Sequence, residues 1–141
     1  MKNQTINVIG FIGLGVMGNS MSKNLLKNKK WSVIVQDLNQ SKEEDLQNHG
    51  AIIASDIKEV FDKSDVIITC LPGGSYVNEM YFGKQDMISV IKPNKYIVDM
   101  STSQPDLMVK LNITIKKKNS FFADAPIAKT RQAAIDGTLA I

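Results

Sequence analysis

Three glycines and one aspartate carry the first chemistry the sequence offers. Gly13, Gly15 and Gly18 have the spacing G-x-G-x-x-G within Phe11-Ile12-Gly13-Leu14-Gly15-Val16-Met17-Gly18. Glycines in that pattern permit a sharp exit from a strand, bare backbone against a phosphate, and a helix lying close on a sheet. The helix that opens there presents unpaired N–H groups and the positive end of its dipole, which favours an anion without any side chain. The pattern therefore predicts a dinucleotide turn. Asp37 follows Gly18 by nineteen residues, about the interval at which an acid at the tip of the second strand reaches ribose hydroxyls. An ionised carboxylate there repels the additional phosphate of NADP, and Leu38, Asn39 and Gln40 supply no arginine to receive it. NAD is thus the expected cofactor, ahead of NADP, with Lys42 as the nearest cation to soften the discrimination. Asp37 also has a second reading, as the N-cap of a helix starting near Ser41.

Alternating strands and helices must place these groups, and the apolar periodicity supplies them. Ile6–Ile12 reads as a buried strand and Val16–Asn28 as a helix with Met17, Met21, Leu25 and Leu26 in its apolar stripe. Strand Trp31–Gln36, helix Gln40–Asn48, a short strand Ala51–Ile53 and a helix near Asp56–Asp62 continue the pattern. Val66–Thr69 is an apolar strand of the kind covered on both faces. It runs into Cys70-Leu71-Pro72-Gly73-Gly74, a loop at a carboxyl edge, where ligands bind in such sheets. Leu71 and Pro72 offer an apolar wall, with Gly73 and Gly74 permitting close approach, or the five residues form a plain strand-to-helix turn. Helices follow around Tyr76–Tyr81 and at Gln85–Ile91, and Pro93-Asn94 breaks the chain before strand Tyr96–Met100. Ser101-Thr102-Ser103 then meet the nicotinamide or substrate, or cap the helix beginning with Pro105. Leu107–Lys118 carries two periods: Leu111, Ile113 and Ile115 alternate like a strand, while Leu107, Leu111 and Ile115 recur like a helix. A parallel sheet needs a crossover there, so a helix is expected. Strand Phe121–Ala123, an unassigned stretch Asp124–Gly137 and an incipient strand Thr138–Ile141 complete the chain. The expected fold class is α/β, a Rossmann-type, doubly wound, mainly parallel sheet with helices on both faces.

A single domain over residues 1–141 accommodates these elements. The 141 residues include 43% hydrophobic and 22% charged side chains, ordinary for a soluble globular domain. No apolar run approaches the roughly twenty residues of a membrane span, and no membrane partner is expected. The net charge of +3 is too small to imply nucleic acid, and Lys116-Lys117-Lys118 reads as solvated cations at a helix C-terminus. Met1–Thr5 is a short polar tail without an export signal, so a cytoplasmic location is expected. One cysteine, Cys70, can form neither an internal disulfide nor a zinc site and reads as a buried, inert thiol. His49, before Gly50 at a helix end, reads as a C-terminal cap.

Gly10 through Gly18, with Met21 and Asn24-Leu25 behind them, then Leu71-Pro72, Asp99-Met100-Ser101-Thr102 and Asp124 through Leu139, together resemble the β-hydroxyacid dehydrogenases. That family includes 3-hydroxyisobutyrate dehydrogenase and tartronate semialdehyde reductase, and four of its motifs occur here in order over essentially the whole chain. The resemblance implies reversible hydride transfer between a nicotinamide and a small aldehyde or β-hydroxy acid bearing an anionic group. It places Val16, Met17, Asp37, Leu71 and Thr102 at cofactor-contacting positions. With the glycine turn and its neighbours, the expected cofactor set is Gly13, Leu14, Gly15, Val16, Met17, Gly18, Asp37, Leu71, Pro72 and Thr102.

The last motif departs from the common pattern, with Ala128, Lys129, Thr130 and Ala133 where many members carry serine and three glycines. A hydroxyl and backbone freedom are lost and a cation is gained. A basic residue followed by threonine is similar to sulfolactaldehyde reductases, although those carry arginine; an ammonium lacks the planar fork and does not fix the choice of anion. Arg131 is a second candidate, and a solvent-facing Lys129 is the other reading. Ser101, Lys129 and Thr130 form the expected substrate set. The resemblance further assigns proton transfer to a lysine on a helix beyond residue 141, followed by a helical domain for substrate and dimerisation. The chain is therefore expected to be the nucleotide-binding domain of a homo-oligomeric enzyme, with no catalytic residue of its own and little activity alone. A non-catalytic NAD-binding module is the alternative. An S-adenosylmethionine methyltransferase fits less well, because the tight glycine spacing suits a pyrophosphate.

Overall fold

The computed structural model describes residues 5–141; the tail expected at Met1–Thr5 lies, but for Thr5, outside the described residues. Six strands form one parallel sheet: β1 (Val8–Ile12), β2 (Ser32–Gln36), β3 (Ile52–Ile53), β4 (Val66–Thr69), β5 (Tyr96–Asp99) and β6 (Phe121–Asp124). Their spatial order is β3-β2-β1-β4-β5-β6, the doubly wound order of dinucleotide-binding sheets. The connecting helices are α1 (Val16–Lys27), α2 (Gln40–Gln47), α3 (Ile57–Lys63), α4 (Gly74–Phe82), α5 (Met87–Val90) and α6 (Pro105–Lys117), with α7 (Arg131–Asp136) after the last strand.

Side chains alternate across a strand, so each strand feeds two cores. On one face Ile9, Phe11, Val33, Val35 and Ile68 pack with Leu26 of α1 and Leu46 of α2. On the other, Ile12, Ile34, Ile67 and Ile97 meet Val60 and Phe61 of α3, Val77, Met80 and Tyr81 of α4, and Met108, Leu111 and Ile115 of α6. Gly10 belongs to this second face, where a Cβ would lie 2.5 Å from Val60 Cγ1 and from Ser64 Oγ. The absence of a side chain there lets α3 rest on the backbone of β1.

The register aligns the strand ends. Ile12 pairs with Gln36 and with Thr69, Thr69 with Asp99, and Asp99 with Asp124. Gly13, Asp37, Cys70, Met100 and Ala125 therefore emerge in one row along the carboxyl edge.

Two expectations need correction, and one unassigned stretch gains a helix. Gly73 and Gly74 do not extend a loop: Gly73 is the N-cap of α4, which starts two residues before Tyr76. The stretch left unassigned contains α7, which Thr130 caps by accepting from Ala133 N–H and which Gly137 ends in the left-handed region. Thr138–Ile141 adds no strand; Ala140 makes one isolated antiparallel bridge with Ala128. The doubtful segment is a helix with Pro105 in its first turn, and the strand-like alternation fails because Ile113 points outward, 52% exposed.

Candidate functional site

The turn after β1 is built around three glycines with different jobs. Gly13 has φ +93°, and a Cβ there would collide with the carbonyl oxygen of Cys70; its N–H donates to Gln36 O at 3.1 Å. A Cβ on Gly18 would collide with the carbonyl oxygen of Gly13 and press on Phe11. These two glycines serve the fold. Gly15 differs: its φ is −63°, ordinary for any residue, and a Cβ on it meets nothing within 4 Å among the described residues. Neither the backbone nor the packing of this chain calls for glycine there, whereas an occupant approaching the backbone does. Gly15 is also the N-cap of α1 and makes no side-chain cap, and the first turn holds no acid. The leading N–H groups of the helix therefore have no intrahelical partner and meet no competing negative charge. These features fit the pyrophosphate of a dinucleotide.

Asp37, on the neighbouring strand end, accepts from Leu14 N–H at 2.6 Å through Oδ2 and from Asn39 N–H at 2.9 Å through Oδ1. The carboxylate thus braces the glycine turn from the side. It does not cap α2; Asn39 does, accepting from Ser41 N–H at 3.0 Å. Lys42 Nζ stands 3.5 Å from Asp37 Oδ1.

Between the turn and the lip after β4 lies a cleft of about 650 Å³, a size suited to a cofactor. Gly13, Gly15, Val16, Met17, Gly18, Asp37, Leu71 and Pro72 line it together. Leu14 is placed otherwise, its side chain 1% exposed within the core and its N–H held by Asp37. Sequence reasoning missed Ile57 from α3, Tyr76, Glu79 and Met80 from α4, and Gln85, which also line the cleft; the pair Gly73-Gly74 opening a helix was the one signal for the α4 residues. Cys70 also lines the cleft. Burial, with the Asp99 charge behind it, raises its thiol to about 11, which keeps it protonated and inert. A second hollow of about 360 Å³ runs along α1 among Lys23, Lys27, Lys29 and His49 and contains none of the expected site residues. There His49 Nδ1 lies 2.7 Å from Asp45 O, in keeping with a C-terminal capping role.

Ser101, Thr102, Lys129 and Thr130 do not line the cleft. Ser101 is 2% exposed; its hydroxyl donates to Asp99 Oδ1 at 2.7 Å and accepts from Leu71 N–H at 2.9 Å. Thr102 is exposed at the rim, its carbonyl near Gly73. The Ser101–Ser103 hydroxyls do not cap α6, whose N-cap is Gln104. Lys129 is exposed with φ +85°, in the region that favours glycine, and its ammonium donates to Thr138 O at 2.9 Å. Arg131, also exposed, begins α7. Burial and the Asp99 charge raise the carboxyl of Asp124, at the end of β6, above the usual carboxylate value.

Known proteins resemble this chain in sequence and fold. A family model described as the NAD binding domain of 6-phosphogluconate dehydrogenase matches residues 8–141. An uncharacterized oxidoreductase, YkwC, of Bacillus subtilis (strain 168) is 41% identical over 133 residues, 94% of this chain and 46% of its own length. The mitochondrial 3-hydroxyisobutyrate dehydrogenase of Mus musculus is 35% identical over 131 residues, 93% of this chain and 39% of its own length. A solved structure described as Psf3 in complex with NADP+ and 2-OPP superimposes with a TM-score of 0.86 at 26% identity, covering 93% of this chain and 46% of that one. The chain thus spans less than half the length of these curated relatives.

Proposed function

The chain belongs to the family of the NAD binding domain of 6-phosphogluconate dehydrogenase, and from that premise we propose that it holds NAD for the reversible reduction of a small anionic aldehyde to a β-hydroxy acid. The observation that carries this reading is the open space over Gly15, at the N-terminus of α1 and between Asp37 and the Leu71-Pro72 lip. When bound, the nicotinamide gives or accepts the hydride. The chain's own contribution is binding and orientation. The first turn of α1 receives the pyrophosphate, Asp37 accepts from the adenosine ribose, and Leu71 and Pro72 wall the nicotinamide half. Asp37 keeps a free lone pair for this beside its bonds to Leu14 and Asn39.

Asp37→Ala tests the preference for NAD over NADP. It removes the ribose acceptor and leaves Lys42 unpaired at the cleft, so NADH binding is expected to weaken by roughly 10- to 150-fold, the worth of a hydrogen bond to a charged group. NADPH binding changes less, and the NADH to NADPH affinity ratio falls. An unchanged ratio, measured by titration with each, contradicts the ribose role.

On the substrate side, Lys129 supports an anionic ligand. A lysine held in left-handed backbone costs about 1–3 kcal/mol relative to residues at ease there, and an ammonium with one donor on Thr138 retains two more. Arg131 is a second cation on the same segment. We place proton transfer on a lysine of a helical domain following this one in a longer, homo-oligomeric protein. That protein, assayed with NADH against a panel of carboxylate- and sulfonate-bearing semialdehydes, is expected to consume NADH with at least one. Tight NADH binding without turnover on any of them makes the protein a non-catalytic NAD-binding module instead.

A further inference from the structure

The buried carboxylate of Asp99 has no part in the binding roles above, yet it organises the edge of the cleft. Asp99 is completely buried, as is Thr69 beside it on β4. Oδ1 of Asp99 collects the hydroxyl protons of Thr69 at 2.6 Å and Ser101 at 2.7 Å. Because the Ser101 proton is committed to Asp99, the lone pairs of that hydroxyl face outward, and one accepts the N–H of Leu71 at 2.9 Å. Leu71 is the first residue of the lip, preceded by Cys70, whose N–H is already fixed on Ile12 O at 2.9 Å. No other bond is recorded for the Leu71 N–H among the described residues. Among the described residues, the second oxygen, Oδ2 of Asp99, has no partner, and neither does the buried hydroxyl of Tyr81. Burial and the Asp99 charge keep that hydroxyl protonated. A carboxylate enclosed with one oxygen unpaired costs the fold; what it provides in return is the orientation of one hydroxyl toward the lip.

We propose that Asp99 and Ser101 are positioning residues for the nicotinamide half of the dinucleotide, acting through the Leu71 N–H to hold the Leu71-Pro72 lip in place. The proposal rests on the reading of the cleft given above. In a sheet of this order each half binds one mononucleotide. The glycine turn and Asp37 belong to the β1–β3 half, and the lip that Ser101 holds belongs to the β4–β6 half. Loosening the lip therefore acts on one half of the ligand alone.

Ser101→Ala removes the acceptor of the Leu71 N–H and leaves the Thr69–Asp99 bond intact. It is expected to raise the NADH dissociation constant about three- to tenfold, the worth of one hydrogen bond, and to leave that of ADP-ribose, which lacks the nicotinamide, unchanged. Asp99→Asn retains an amide oxygen for both hydroxyls and is expected to bind both ligands as the unsubstituted chain does. For Ser101→Ala, equal weakening toward NADH and ADP-ribose, or no change toward either, overturns the proposal. If the unsubstituted folded chain binds neither ligand, the dinucleotide reading falls first and the proposal with it. Hydrogen exchange in the unsubstituted chain supplies a check that needs no variant. The Leu71 amide is expected to be protected without any dinucleotide, and exchange at the rate of an open loop overturns the proposal.

Discussion

Gly15→Ala is expected to leave the chain folded and to remove most of its affinity for a dinucleotide. The substitution separates ligand from fold because nothing among the described residues meets the added methyl within 4 Å and the backbone at φ −63° suits alanine. As the N-cap of α1, alanine is somewhat poorer than glycine, so the stability change stays within about 1 kcal/mol. The cost falls on the ligand. A methyl at the helix N-terminus stands where a pyrophosphate must reach the N–H groups, and forcing a methyl into a filled contact costs about 1–3 kcal/mol, or roughly 5- to 150-fold in Kd. Thermal unfolding and NADH titration of the same preparation measure both parts. Unimpaired binding would mean that no ligand backbone contact is made at Gly15.

Gly13→Ala gives the opposite pattern, a loss of folding two residues away in the same motif. Alanine at φ +93° is strained by about 1–3 kcal/mol, and its methyl collides with the carbonyl oxygen of Cys70 and presses on Leu71 Cδ2 at 3.1 Å. Cys70 cannot retreat, since its own N–H is bonded to Ile12 O. Together the two effects are expected to cost about 2–5 kcal/mol, a large share of the roughly 5–15 kcal/mol that holds such a domain together. The melting temperature is expected to fall by roughly 6–15 °C. A melting temperature within a degree or two of the unsubstituted chain's would contradict the close approach of β1 and β4 at this turn.

The glycine turn was legible in the sequence because its chemistry is local: three glycines, a strand before and a helix after specify backbone geometry within eight residues. Asp37 was legible as a strand tip, but not its bond to Leu14 N–H, which depends on how β2 lies beside β1. Ser101 shows the limit more sharply. Its sequence position at a carboxyl edge suggests a hydroxyl facing ligand, whereas the register of β4 against β5 turns it inward, between Asp99 and a backbone N–H thirty residues earlier. Helix α7 left no periodic signal, since only the adjacent Ala133 and Ala134 are buried. Its last carbonyls are satisfied from far along the chain, by Asn24 Nδ2 donating to Ala134 O at 2.7 Å. In α6 the helical period competed with alternation, and the burial of Leu111 and Ile115 against an exposed Ile113 decides it. The doubly wound fold was readable because the inner strands β1, β2 and β4 are apolar enough to be covered on both faces; contacts between residues distant in sequence were not.

Calorimetric titration of the chain with NADH, followed by NADPH, tests the central claim most directly. The account predicts saturable binding of one dinucleotide per chain, tighter for NADH, with the pyrophosphate on the first turn of α1 and Asp37 against the ribose. A chain that shows a cooperative thermal transition and yet gives no binding heat with either dinucleotide at any temperature tried contradicts it.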